Sequence, residues 1–171
     1  MLAVIGVFIF LTVIVVDVPQ RWSSIYHIGL GVDGAQVGLD VVAFTIAPTI
    51  GRFFGERRVA RISTGITAVA LAAALVAGHF YAYIGACIVV GPGIATLFPA
   101  AMHAATFVKG TNPETAITVV SWISRAGFVF APFMVGLLAE RVGITWGISI
   151  ALFAALILIP LSRVLRSKVE R

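Results

Sequence analysis

An arginine in the middle of an apolar run is the residue of this chain best equipped for chemistry. Arg125 lies about ten residues into the run Thr115 to Ala139, roughly 15 Å from that run's cytoplasmic end at the helical rise of 1.5 Å per residue. A charge held near the middle of a bilayer costs about 2.5–3.5 kcal/mol on insertion scales, and such residues face a bundle interior or a water-filled cavity. The guanidinium's planar fork of donors suits an anionic or hydroxyl-rich ligand. The alternative role is a tether to backbone carbonyls or to a carboxylate within the protein. Trp122 precedes Arg125 by three residues, one helical turn, so its indole can stack on the guanidinium or on the flat face of a ligand. Asp40, in the outer part of the run Ala35 to Phe53, is the second ionisable candidate. An intramembrane carboxylate can hold solute or relay a proton, and one near the end of a span can instead reach the interface. Its depth differs from that of Arg125 by about 5–15 Å at the helical rise, which does not by itself imply a pair.

Other residues carry weaker signals. Gly91-Pro92-Gly93 and Pro99 interrupt one apolar run, where freed backbone groups can line a cavity, although Gly and Pro also serve as ordinary packing residues in membrane helices. Asp17, Trp22 and Tyr26 follow the first run, at the level where aromatic residues belong to the membrane interface; an outer substrate gate is the functional alternative. His27, His79 and His103 have no metal-ligand spacing, so no metal or other cofactor is expected. The single cysteine, Cys87, excludes an internal disulfide and reads as a small packing residue.

The elements that must position these residues follow from composition. The chain has 171 residues, 60% of them hydrophobic and 11% charged, with a mean hydropathy of +1.09. That is more apolar surface than one soluble core can hide, so lipid must solvate it. Its net charge of +5 does not point to nucleic acid, because the basic residues sit at the ends of apolar runs rather than along a helix face. Six runs approach the roughly 20 residues that span about 30 Å of hydrocarbon: Leu2 to Val16, Ala35 to Phe53, Ile62 to Gly78, Tyr81 to Ala105, Thr115 to Ala139 and Gly143 to Ser162. Short connections make consecutive helices antiparallel neighbours. The expected fold is therefore an all-α membrane protein, one six-helix bundle over residues 1–171 with no soluble domain.

Orientation rests on the arginines and lysines. Arg52, Arg57, Arg58, Arg61, Lys109, Arg163, Arg166, Lys168 and Arg171 flank one side, and Arg21 and Arg141 the other. Basic flanks stay inside, which predicts a multi-pass protein with both termini cytoplasmic. The first run begins at Met1 with no basic flank and no small-residue cleavage site after it. This argues against a secretory signal peptide and suggests the back part of a longer protein. An arginine content well above the lysine content is consistent with a GC-rich bacterial gene, and the expected location of such a multi-pass helical protein is the bacterial inner membrane.

A shift of 84 residues lays Phe44, Ala47, Pro48, Glu56 and Arg57 on Phe128, Ala131, Pro132, Glu140 and Arg141. The second and fifth runs are expected to cross in opposite directions, so the match suggests three helices repeated with inverted topology, as in many secondary transporters. Chance similarity between two Ala/Gly/Pro-rich helices is the alternative. The segments RWSSIYHIGLG, GLDVVAF, GRFFGERRVAR, GPGIATLFP and AGFVFAPFMVGLLAERVGI occur in that order. In order and spacing, essentially the whole chain resembles the C-terminal six-helix half of a major facilitator superfamily transporter, most nearly the bacterial fucose-permease-like group.

The resemblance implies secondary transport of a small solute, a sugar or related compound, with the fifth helix lining the central cavity. It implies as partners the bilayer, the solute, and either an N-terminal six-helix half or a second copy of this chain. In that family a cytoplasmic loop motif forms a charge network that latches one conformation. Here it is contracted to Gly51, Arg52, Gly55, Glu56 and Arg57, with Glu56 where an aspartate is usual. The same arginines also serve as a positive-inside anchor with no gating role. No enzyme is expected, since G-x-S-x-G is absent and Asp40 has no second buried acid beside it. A non-transporting membrane remnant or interaction subunit is the alternative function, because six helices supply only one wall of the family's cavity.

Overall fold

The computed structural model describes residues 1–53 and 59–169. Among these the chain is all-helical: α1 Leu2–Gly29, α2 Gly34–Phe53, α3 Val59–Ala77, α4 Phe80–Thr106, α5 Pro113–Val142 and α6 Ile144–Val169. Three of them are long and apolar enough to cross a membrane, namely α1, α5 and the Ile144–Ser162 part of α6.

Local chemistry sets the ends of these helices. Asn112 caps α5, its side-chain oxygen accepting from the Glu114 amide at 3.1 Å. Pro113 follows at the first turn, where its missing N–H costs nothing. At the other end Gly143 alone joins α5 to α6, with φ of 98°, a backbone conformation that side chains with a Cβ resist. Inside the apolar stretch of α1 the buried Thr12 hydroxyl donates to the Phe8 carbonyl at 2.8 Å, so this polar group needs no distant partner.

The expected first run ended at Val16, but α1 continues without interruption to Gly29. The reason is Asp17. Its carboxylate is almost wholly buried and accepts from the Arg21 guanidinium one turn later, so the charge that stops a hydropathy run is partnered inside the helix.

Packing follows a pattern that the chain order does not suggest. The most extensive contacts of α1 are with α5 and α6, while α4 packs most extensively on α2 and α3. Advancing every helix by three places turns one set into the other, and it likewise turns the smaller α1–α2 contact into α4–α5. Helix α1 is the best enclosed of the three apolar spans, with 61% of its most apolar window buried, against 22% for α5. Ile5, Ile9, Val15 and Val18 of α1 join Val120 and Val135 of α5 and Ile148 and Leu158 of α6 in the core. Helices α1 and α5 run parallel: Gly6 faces Ile123, Val13 faces Gly127 and Trp22 faces Gly136.

Candidate functional site

Helix α5 has two unlike faces. Ala116, Val120, Ser124, Gly127, Ala131 and Val135 recur every three or four residues and are buried against the bundle, the stripe a packed helix requires. On the other side Thr118, Trp122, Arg125, Val129 and Phe133 form a second row at the same spacing, all exposed. Glycine accounts for part of this division. A Cβ on Gly127 would lie 3.2 Å from Cβ and Cγ1 of Val13 and 3.4 Å from Phe10 Cδ2, so its absence lets α1 and α5 approach closely.

Arg125 sits near the middle of this helix, roughly 18 Å from its start at the helical rise. Its guanidinium carbon lies 5.6 Å from the centroid of the Trp122 ring, within the range of a cation–π contact. The expected one-turn pairing of these two residues is thus present. Among the described residues no carboxylate forms an ion pair with Arg125; the salt bridge described is Arg21–Asp17. Glu114 and Glu140, the acids of the same helix, are roughly 16 and 22 Å away along its axis. Both side chains are exposed, Trp122 by 65%. The pair therefore lies on an exposed face of the six helices rather than in their shared interior.

Asp40, Gly51 and Arg52 belong to α2, but the side chains of Asp40 and Arg52 and the surroundings of Gly51 lie outside what is described. Gly55, Glu56 and Arg57 also lie outside the described residues. The arrangement of the loop motif is therefore carried by the sequence alone.

A second polar group, not gathered from the sequence, is built at the far end of α1. Asp17, Tyr26 and His27 are buried there, together with Phe80 and Tyr83 of α4. The His27 ring meets Phe80 at 4.9 Å and Tyr83 at 4.8 Å, both edge to face. The Tyr83 hydroxyl donates to the Pro19 carbonyl at 3.4 Å, and Oδ2 of Asp17 is buried with no hydrogen-bond partner. Asp17 and Tyr26, expected at the level of the membrane interface, are turned into the bundle, where Tyr83 of α4 packs on Tyr26. The Asp17–Arg21 spacing was the available signal, whereas the meeting of His27 with Tyr83 requires a contact between helices far apart in sequence.

Other features carry less chemistry. A shallow groove lined by Gly65, Ile66, Val69, Ala70 and Ala73 of α3 and Val89 of α4 is almost wholly apolar. Among the described residues no three His, Cys, Asp or Glu side chains converge as metal ligands. Cys87 is buried in the core.

No protein family matches the chain, and no solved structure matches it. It is similar to membrane protein MosC of Rhizobium meliloti, with 28% identity over 152 residues, covering 84% of this chain and 37% of that protein. The chain thus spans just over a third of the length of the curated relative it matches. Taken with the three long apolar helices among the described residues, this likeness identifies a helical membrane protein.

Proposed function

We propose that the chain forms one six-helix half of a secondary transporter of the major facilitator type, carrying a small solute across a bacterial inner membrane with both termini in the cytoplasm. One observation carries the reading. The packing exchanges partners between the two three-helix sets, with α1 on α5 and α6 and α4 on α2 and α3. A three-place shift inverts every helix of an up-and-down bundle, so this pattern is what two inverted repeats with exchanged first helices would give. The 84-residue sequence match falls on α2 and α5, which the same shift relates.

In this reading all six helices span the membrane, and the exposed row of α5 faces a cavity closed by another half. Trp122 and Arg125 are the solute contacts of this wall, with Asp40 as a third. Gly51, Arg52, Gly55, Glu56 and Arg57 form the cytoplasmic latch. The loss of one wall means that the isolated chain inserts but does not alternate access.

Reconstitution tests this directly. The chain alone in proteoliposomes should give no saturable solute flux, and co-reconstitution with the half that completes it should give flux that a protonophore or ionophore alters. Robust coupled uptake by the isolated monomer would overturn the half-transporter reading. A complete assembly that carries nothing would favour a non-transporting subunit.

A further inference from the structure

We infer that the Arg125–Trp122 pair recognises an organic monocarboxylate, so that the solute class is anionic rather than neutral; this rests on the transporter reading above. Three observations converge. Arg125 brings a permanent charge to the middle of α5, and among the described residues no carboxylate pairs with it. Its guanidinium carbon lies over the Trp122 ring, and among the described residues no protein acceptor takes its N–H donors, which leaves them for a ligand. The rest of the exposed row gives little polar competition. Thr118 already donates to the Glu114 carbonyl at 2.8 Å, while Val129 and Phe133 are apolar.

A neutral polyol at this position would supply hydrogen bonds but no charge opposite to that of the guanidinium. A carboxylate answers both needs at once. Its two oxygens match the guanidinium fork with two parallel N–H···O bonds, and its single negative charge cancels the single positive one. Beyond the carboxylate, the indole and the apolar side chains favour a ring or a compact hydrocarbon body. The wall then discriminates by charge first and by shape second.

The test uses the full protein in its own membranes and phenylglyoxal, a neutral reagent for arginine, with modification at Arg125 read by mass spectrometry. The probes are matched pairs: benzoate with benzamide, cyclohexanecarboxylate with cyclohexanecarboxamide, and glucuronate with glucose. Charge-assisted bonds are worth about 1.5–3 kcal/mol, so at least one carboxylate should slow labelling about tenfold or more while its neutral twin changes it by less than about twofold. Equal protection by both members of a pair, protection by the neutral member alone, or no protection by any probe would overturn the inference. So would an Arg125 that never labels, since the guanidinium would then not face a water-filled cavity. Uptake of the same probes separates this from the transporter reading. A neutral twin carried without carboxylate protection leaves transport standing and removes the anionic class, whereas protection without uptake of any probe leaves the anion site and removes transport.

Discussion

Removing either partner of the Asp17–Arg21 pair should give very unequal results, because the two ends of the pair lie in different surroundings. The Asp17 side chain is 3% exposed and that of Arg21 61%. In Arg21→Ala the carboxylate stays in the bundle with both oxygens unpartnered. Breaking a buried pair in this way costs about 3–5 kcal/mol, and the wet end of the arginine places the loss near the lower figure, about 3 kcal/mol. For a chain of this size each kcal/mol moves Tm by about 2–4 °C, so the variant should melt about 6–12 °C lower. Asp17→Val is the contrasting change. It removes the carboxylate together with its unpartnered Oδ2 and leaves an arginine free to reach water, so Tm should move by no more than about 3 °C, a change within about 1 kcal/mol. The double variant should resemble Asp17→Val rather than the sum of the two. Cys87 is the chain's single thiol and is buried, so a dye that fluoresces on reaction with thiols reports unfolding in detergent without an added label. Equal losses from the two single changes, or a double variant no better than Arg21→Ala, would refute the reasoning.

Three further outcomes are expected. Arg125→Met should express at least as well as the parent, since the insertion cost of about 2.5–3.5 kcal/mol is gone, but lose solute binding; Arg125→Lys should bind weakly for want of the fork, and normal binding by the methionine variant would remove Arg125 from the site. Gly127→Leu should cost about 1–3 kcal/mol by overpacking α1 against α5, while Gly6→Ala should be nearly neutral because the atom nearest its new Cβ is the swinging end of Ile123, Cδ1; thermal unfolding compares the two. Alkaline phosphatase fused after Gly110 should be inactive and after Arg141 active if, as proposed, basic flanks hold the first loop in the cytoplasm and leave the second outside; the reverse pattern would invert the topology.

The positions of the helices were legible because hydrophobic runs and short loops leave few alternatives. Each expected run lies within, or overlaps closely, one of α1 to α6. The pairing of Trp122 with Arg125 was legible too, since helical spacing alone places them a turn apart. The length of α1 was not. A hydropathy run stops at its first charge, and the partnering that lets the helix continue past Asp17 lies in geometry rather than composition. Equally hidden was the role of Gly127, one of 17 glycines, because it depends on Val13 of another helix lying against it. His27 had no motif to announce it, because its neighbours Phe80 and Tyr83 come from another helix. Which face of α5 carries Arg125 was fixed by its buried row, and that row is defined only once α1 is in place.

Pro19 in the C-terminal half of α1 is a weak point that can serve that helix as a joint. Lacking an N–H, it removes the ladder partner of the Val15 carbonyl, and its ring crowds the preceding turn. The Asp17–Arg21 pair straddles this point, and the Tyr83 hydroxyl holds the Pro19 carbonyl from the side; together they act as a splint. Beyond the joint, the ten residues from Gln20 to Gly29 make a lever arm roughly 15 Å long at the helical rise. A 10° bend at Pro19 would therefore carry its tip by roughly 3 Å at that rise, with Tyr26 and His27 riding on it. Bending of the C-terminal end of α1 would then be concentrated at one residue, opposed by these two contacts and by the packing of Tyr26 and His27 on Phe80 and Tyr83.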